Sequence, residues 1–191
     1  MGTHKGSNEE SISAVNGTDD REARSKFWIA AYTRPKSEKK AAVELAKSDI
    51  ETYVPIQIQI REWSDRRKKV EVVVIPMILF AKVAVEDILT VKKHPLIINV
   101  LTYPGQKEAA FIPENQIDSL KFMLNQSDVP VLFEKTEYKQ LDKVRIIRGN
   151  LQGLEGRIYR TNGGMTKLMV SINFLGGAIV TINPSDIEIV R

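Results

Sequence analysis

The segment KVRIIRGNLQGLEGRI, Lys143 to Ile158, places Gly149, Gly153 and Gly156 within eight residues, between two apolar runs. Such a stretch either cradles a phosphate or turns the chain between the strands of a small barrel. A phosphate loop requires a strand, a glycine loop ending in Lys-Ser/Thr, and a helix whose N-terminus faces the anion. Here Gly153 is followed by Leu154, Glu155, Gly156 and Arg157. There is no Lys-Ser/Thr, the Glu155 carboxylate would repel phosphate, and RIYR reads as strand. The spacing G-x-x-x-G-x-x-G also departs from the dinucleotide-binding G-x-G-x-x-G. The turn reading stands, with the glycines supplying positive φ or a close backbone approach.

The rest of the C-terminal part agrees with a turn. After Tyr138 the sequence is a series of short strands: KVRII, GRIYR, KLMVSINF, LGGAIVTI and DIEIV, with TNGGM as a hairpin turn. Five short strands over residues 138–191 predict a small all-β barrel.

The preceding part has a different rhythm. FWIAAY reads as a strand, and TRPKSEKKAAVELAKSDI as a helix with Ala41, Ala42, Leu45 and Ala46 at helical spacing. YVPIQIQI alternates strictly, which predicts Ile56, Ile58 and Ile60 facing the core and Gln57 and Gln59 facing solvent. VEVVVIPMILFAKVAV is one bent strand or two, interrupted at Pro76. EDILTVKKH is a short helix with an acidic start and a basic end, LIINVLTY a strand, and FIPENQIDSLKFMLNQ a helix with Pro113 in its first turn. The order β-α-β-β-α-β-α predicts an α+β domain over 26–125, an antiparallel sheet with helices on one face. Residues 126–137 read as a linker. Residues 1–25 are polar and charge-mixed and predict a disordered tail.

Composition closes several routes. Cysteine is absent from the 191 residues, which removes disulfides, thiol catalysis and zinc knuckles. The two histidines, His4 and His94, are isolated, so neither a metal centre nor a Ser-His-Asp triad is expected. With no phosphate loop and no acid/base pair, the chain is expected not to be an enzyme and to need no cofactor. A net charge of +4 suits a surface that meets nucleic acid without coating it. No apolar run reaches the ~20 residues of a membrane span, and no apolar signal core is seen, so a cytoplasmic monomer is expected.

Two resemblances sharpen this reading. VRIIRGNLQGLEGRI, continuing through VSINFLGGAIVTINPSDIEIV, resembles the KOW motif of NusG-type transcription factors and some ribosomal proteins. FWIAAYTRPKSEKKAAVEL, with Phe27, Trp28 and Glu38, resembles the opening of a NusG N-terminal (NGN) domain. The run from Tyr53 through Trp63 to Phe80 resembles the Y-x-P, W-S-D-R and P-x-x-x-F elements of UpxY, the specialised NusG paralogs that antiterminate capsular polysaccharide operons.

The resemblance implies a transcription elongation factor and antiterminator that binds the clamp helices of the largest RNA polymerase subunit through an apolar patch. The positions that match are Ile29, Ala31, Ile75, Pro76, Ile78 and Phe80, with Ile117 and Leu120 at the edge; internal core is the competing reading of the same residues. Ile75 and Ile78 replace an aromatic and a tyrosine usual in the family. The resemblance also places the NGN domain beside upstream or non-template DNA. Arg61, Trp63, Arg66, Arg67, Lys68 and Lys69, with Arg34 and Lys36 as weaker additions, are the nucleic-acid candidates. Their alternative is a solvated hairpin tip with Trp63 folded onto the domain. In the KOW part, Leu154, Phe174 and Leu175 match positions that bind Rho or a small-subunit ribosomal protein, while Gly177 stands where arginine is common. The β-branched, turn-rich C-terminal sequence predicts a stable barrel with no refolding into helices. An RNA-binding protein of the translation apparatus is the alternative function, since KOW barrels also occur on ribosomes.

Overall fold

The computed structural model describes residues 25–63, 66–135, 142–160 and 166–190. The expected tail, Ser25 apart, and the TNGGM turn lie outside the described residues.

The N-terminal part is built on an antiparallel sheet centred on β1 (Phe27–Thr33). On one edge β1 pairs with β5 (Ile78–Val83), which in turn pairs with β2 (Glu51–Tyr53). On the other edge it pairs with β6 (Ile97–Val100) at its C-terminal half and β7 (Phe111–Ile112) at its N-terminal half. FWIAAYT and ILFAKV are nearly continuous apolar runs, as strands covered on both faces require. One face (Ile29, Ala31, Leu79, Ala81, Val83) packs with Ala41 and Leu45 of α1 (Glu38–Ala46) and Val91 of α2 (Ile88–Lys93). The other face (Trp28, Ala30, Ile78, Phe80) packs with Ile117, Leu120, Met123 and Leu124 of α3 (Glu114–Gln126). The helices therefore flank the sheet on both sides, not on one as the element order predicted. Element order does not encode the crossing that carries the chain to the second face.

Pro76 does break the long β-branched run. It separates β4 (Arg67–Val73) from β5 by a turn in which the Ile78 N–H donates to the Ile75 carbonyl and Met77 has φ 63°. A left-handed methionine costs roughly 1–2 kcal/mol. Two contacts hold it: the Met77 N–H donates to the buried Glu38 carboxylate at 2.7 Å, and its carbonyl accepts from the Thr33 N–H at 2.9 Å. Pro113 sits one residue before α3, because Phe111 and Ile112 are held as strand against β1.

The C-terminal part is a six-stranded antiparallel sheet. Its strands are β8 (Leu132–Glu134), β9 (Asp142–Ile146), β10 (Glu155–Arg160), β11 (Thr166–Ile172), β12 (Gly176–Thr181) and β13 (Ile187–Ile189), in the order β13-β9-β10-β11-β12-β8. The five expected strands are present. The sixth, β8, comes from the segment expected to be a linker and pairs with β12. Among the described residues β8 and β13 do not pair, so the sheet does not close into the expected barrel.

The opening glycines are turn residues. Gly149 and Gly153 have φ of 80° and 88°, and Gly153 donates to the Ile146 carbonyl. Gly156 is needed for space, since a Cβ there would lie 2.6 Å from the Met169 carbonyl oxygen. The two parts share one apolar core across α3, in which Val144, Ile146, Leu154, Leu168, Val170 and Ile172 join the α3 residues. Gln116 and Asn173 bond reciprocally across this boundary, Nε2 to Oδ1 and N–H to Oε1, both at 2.8 Å.

Candidate functional site

The basic segment forms the end of a two-stranded hairpin, β3 (Ile56–Glu62) against β4, in register from Ile56↔Val73 to Glu62↔Arg67. Trp63 and Arg66 exchange backbone hydrogen bonds of 2.8 and 3.3 Å that close it. Alternation splits the cations between the two faces. Arg61 and Lys68 are cross-strand partners on one face, while Arg67 and Lys69 lie on the other beside Glu62 and Ile60. Arg67 is paired with Glu62 at 2.5 Å. All five basic residues from Arg61 to Lys69 are exposed, and Trp63 projects into solvent instead of folding onto the domain. Arg34 and Lys36 lie in the exposed turn before α1. Lys39 of that helix is ion-paired with Glu71 of β4, which puts the turn near the hairpin's base and not its tip.

The predicted facing of β3 is inverted. Ile58 and Ile60 are 64% and 66% exposed, and Gln57 is 2% exposed. The Gln57 amide donates to the Val129 carbonyl at 2.9 Å, and its oxygen accepts the Val131 N–H at 2.9 Å. It thereby satisfies the backbone of the segment between α3 and β8. Binary patterning assigns glutamine to water; here an irregular backbone segment that ends at the buried Val131 N–H requires a polar partner. The two exposed isoleucines are surface residues that the sequence reading missed, and the alternation itself was the signal, read with the wrong sign.

The eight apolar patch candidates do not form one surface. Ile29 and Ala31 face α1 and α2, whereas Ile78 and Phe80 face α3, because Ile29 pairs with Ala81 and Ala30 with Phe80. Ile29, Ala31, Ile75, Ile78, Phe80, Ile117 and Leu120 are all buried, and only Pro76 is exposed. At the rim, Tyr53 stacks on Phe80 with ring centroids 6.1 Å apart, and Tyr32 pairs with Ile78 across the strands. Burial pushes the Tyr53 phenol well above its usual range. Lys121 of α3 lies 4.8 Å from the Trp28 ring and 5.4 Å from the Tyr53 ring. Lys82 and Glu114 close the same edge with a 2.5 Å ion pair. The hydrogen bond from Lys82 holds the Glu114 carboxyl below its ordinary value, and Lys82 is raised by the same bond.

In the C-terminal sheet Leu154 and Leu175 are buried, and Phe174 is partly exposed with φ 63°. The Phe174 ring meets Tyr103 edge-on at 5.4 Å, so it already has a neighbour in the N-terminal part. Glu155 is held between Lys143 at 2.7 Å and Arg145 at 2.6 Å. The hydrogen bond from Lys143, then that from Arg145, keeps its carboxyl below the usual range.

Both nitrogens of His94 are occupied: Nδ1 accepts from the Leu96 N–H at 3.2 Å, and Nε2 lies 3.1 Å from Glu44. Among the described residues no group of three or more His, Cys, Asp or Glu is placed to hold a metal. Within the same residues no helix is long and apolar enough to cross a membrane.

Comparison with known proteins bears on the N-terminal half. The profile of the family described as NusG, "Transcription termination factor nusG", matches residues 26–121. No curated protein matches. Among solved structures, "Domain interaction in Thermotoga maritima NusG" is similar at 19% identity with a TM-score of 0.47, over 87% of this chain and 98% of that one. Conformation A of the MjSpt4:Spt5 complex is similar at 15% identity with a TM-score of 0.28, over 85% and 97%. At these scores the structural likenesses carry no weight, and the assignment rests on the profile. It spans half of the chain and takes in the central sheet, the hairpin and most of α3, and on that match the chain belongs to the NusG family.

Proposed function

We propose that this protein is a non-enzymatic transcription elongation factor that binds RNA polymerase, suppresses pausing and promotes read-through of terminators on particular operons. The observation that carries the reading is the family match over 26–121, which coincides with the part holding both the exposed basic hairpin and the sheet–α3 unit. In this reading the sheet–α3 unit lies against the clamp helices of the largest polymerase subunit. Its buried members Ile29, Ala31, Phe80, Ile117 and Leu120 fix the shape from within. Pro76 and the rim residues Tyr32 and Tyr53 make the contact, as anchors at the edge of a groove do.

The hairpin lies along upstream or non-template DNA. Exposed Trp63 stacks on an unpaired base, and Arg61, Lys68 and Lys69 meet phosphates. The C-terminal sheet is read as the KOW domain over 138–191, with exposed Phe174 as its contact for Rho or a small-subunit ribosomal protein. The finer assignment, a UpxY-like antiterminator of capsular polysaccharide operons, rests on the sequence run from Tyr53 to Phe80.

Single-round transcription with a bacterial RNA polymerase, on a template bearing the leader of the chain's own operon, tests this. The wild type is expected to increase read-through. Trp63→Ala with Lys68→Glu and Lys69→Glu changes exposed positions only, and is expected to lose most of that effect while still binding polymerase. Pro76→Glu, at the exposed member of the unit, is expected to lose most polymerase binding in a pull-down. Glutamate at Ile78 or Phe80 is a poor test because burial makes it a folding lesion. If the wild type neither binds polymerase nor alters pausing, the proposal is wrong.

A further inference from the structure

Away from the hairpin, three exposed apolar side chains gather at one place. Val85 and Leu89, 64% and 55% exposed, lie four residues apart on the helical stretch Val85–Lys93 and so share a face. Phe111 of β7 also lines this groove, with Ile88, Tyr103 and Ala109 completing it, and the volume is about 500 Å³. Single exposed apolar residues are ordinary, but a contiguous group in a concave site marks an interaction surface.

The walls are built before any partner arrives. Val91 and Ala109 are buried in the core beneath. The Phe111 N–H donates to the Tyr103 hydroxyl at 3.3 Å, and the Phe111 ring packs on Phe27 with centroids 3.7 Å apart. The backbone of the wall from Leu101 to Ala110 pairs with itself: Thr102 bridges Ala109, and the Ala110 N–H donates to the Leu101 carbonyl at 2.8 Å. That pairing occupies much of the wall's own backbone, so side chains rather than a strand edge form most of this surface. The helical wall of nine residues runs for about 13 Å, which matches two to three turns of a second helix.

The rim sets the sign of the partner. Lys92 and Lys107 line the groove against a single carboxylate, Glu108. Among the described residues neither lysine has an ion-pair partner. We infer that this groove docks an amphipathic helix of a partner protein, apolar on the face set between Leu89 and Phe111 and acidic along the flank that meets Lys92 and Lys107. This is the helix-in-groove mode, with desolvated apolar anchors for affinity and rim charges for specificity. The site is separate from the hairpin and from the rim of Tyr32 and Tyr53, so it stands or falls independently of the polymerase reading.

The test uses the full chain and a fluorescently labelled synthetic helix of about four turns, with leucines at i, i+4 and i+7 and glutamates flanking them. A second probe carries lysines in place of the glutamates. Anisotropy titration is expected to show saturable binding of the acidic probe, weakened by added salt, and little binding of the basic one. Leu89→Glu, at an exposed position, is expected to weaken the acidic probe about tenfold or more. Lys92→Glu with Lys107→Glu is expected to reverse the preference between probes. Unchanged melting of each variant confirms that the fold is retained. Equal binding of both probes, no saturable binding of either, or indifference to both sets of substitutions would overturn the inference.

Discussion

Gln57 offers the sharpest test of how this domain is held together. It is almost fully buried, and it bonds the Val129 carbonyl and the Val131 N–H, with a weaker contact of 3.4 Å to the Ser127 carbonyl. Gln57→Leu nearly keeps the volume and removes both polar atoms that Gln57 gives this segment, while the Ser127 hydroxyl still donates to the Val129 carbonyl at 2.8 Å. The Val131 N–H, on a buried residue, is then left without a partner, which costs about 1–3 kcal/mol. Val129 is exposed, so water replaces much of what its carbonyl loses. Burying leucine in place of an amide returns part of the loss. The net expectation is a destabilisation of about 2 kcal/mol, or roughly 4–8 °C in melting temperature for a chain of this size.

The complementary change is Ile58→Gln. If Ile58 faced the core, as the alternation predicts, the substitution would cost about 1.5–3 kcal/mol in lost burial. With Ile58 in solvent it should fall within about 0.5 kcal/mol of the wild type. Thermal and urea unfolding of the two variants decide the matter. A silent Gln57→Leu together with a severely destabilised Ile58→Gln would refute the inverted facing of β3 and the role given to Gln57.

Three further outcomes are expected. Glu38→Ala leaves the Met77 N–H without its acceptor in a strained turn and should cost about 1–3 kcal/mol, whereas Glu38→Gln retains an acceptor and should cost less in the same unfolding assay. Gly156→Ala brings a Cβ within 2.6 Å of the Met169 carbonyl; pulsed hydrogen exchange should show β9–β11 loosened while the β1–β5 pairing stays protected. Glu155 and Glu114 have carboxyl values depressed by their lysine partners. Their contribution is therefore present above the usual carboxylate range and lost as pH falls through the depressed values; Glu155→Gln should flatten that acid limb of the stability–pH curve, and an unchanged limb would remove Glu155 as its source.

Much of the architecture is legible from local chemistry alone. Glycine spacing with β-branched flanks defines the five C-terminal strands, because positive φ and close approach leave few alternatives at Gly149, Gly153 and Gly156. Proline at 76 divides β4 from β5, and periodicity locates α1, α2 and α3. The basic tip of the hairpin is legible as a charge run, whereas the exposure of Trp63, left open between stacking outward and folding onto the domain, was settled by the structure. Tertiary structure alone decided three other matters. It chose the face of β3, because the irregular segment at 127–131 needed a polar side chain more than the sheet needed another isoleucine. It placed helices on both faces of the sheet, so that residues of two neighbouring strands expected to form one patch, such as Ala31 and Ile78, ended in different cores. It also recruited β8 from an apparent linker, since the free edge of β12 had backbone groups to satisfy and the nearest chain supplied them. In each case the deciding partner lies far away in sequence, and alternation or helical spacing, which report only a residue's near neighbours, carries no record of it.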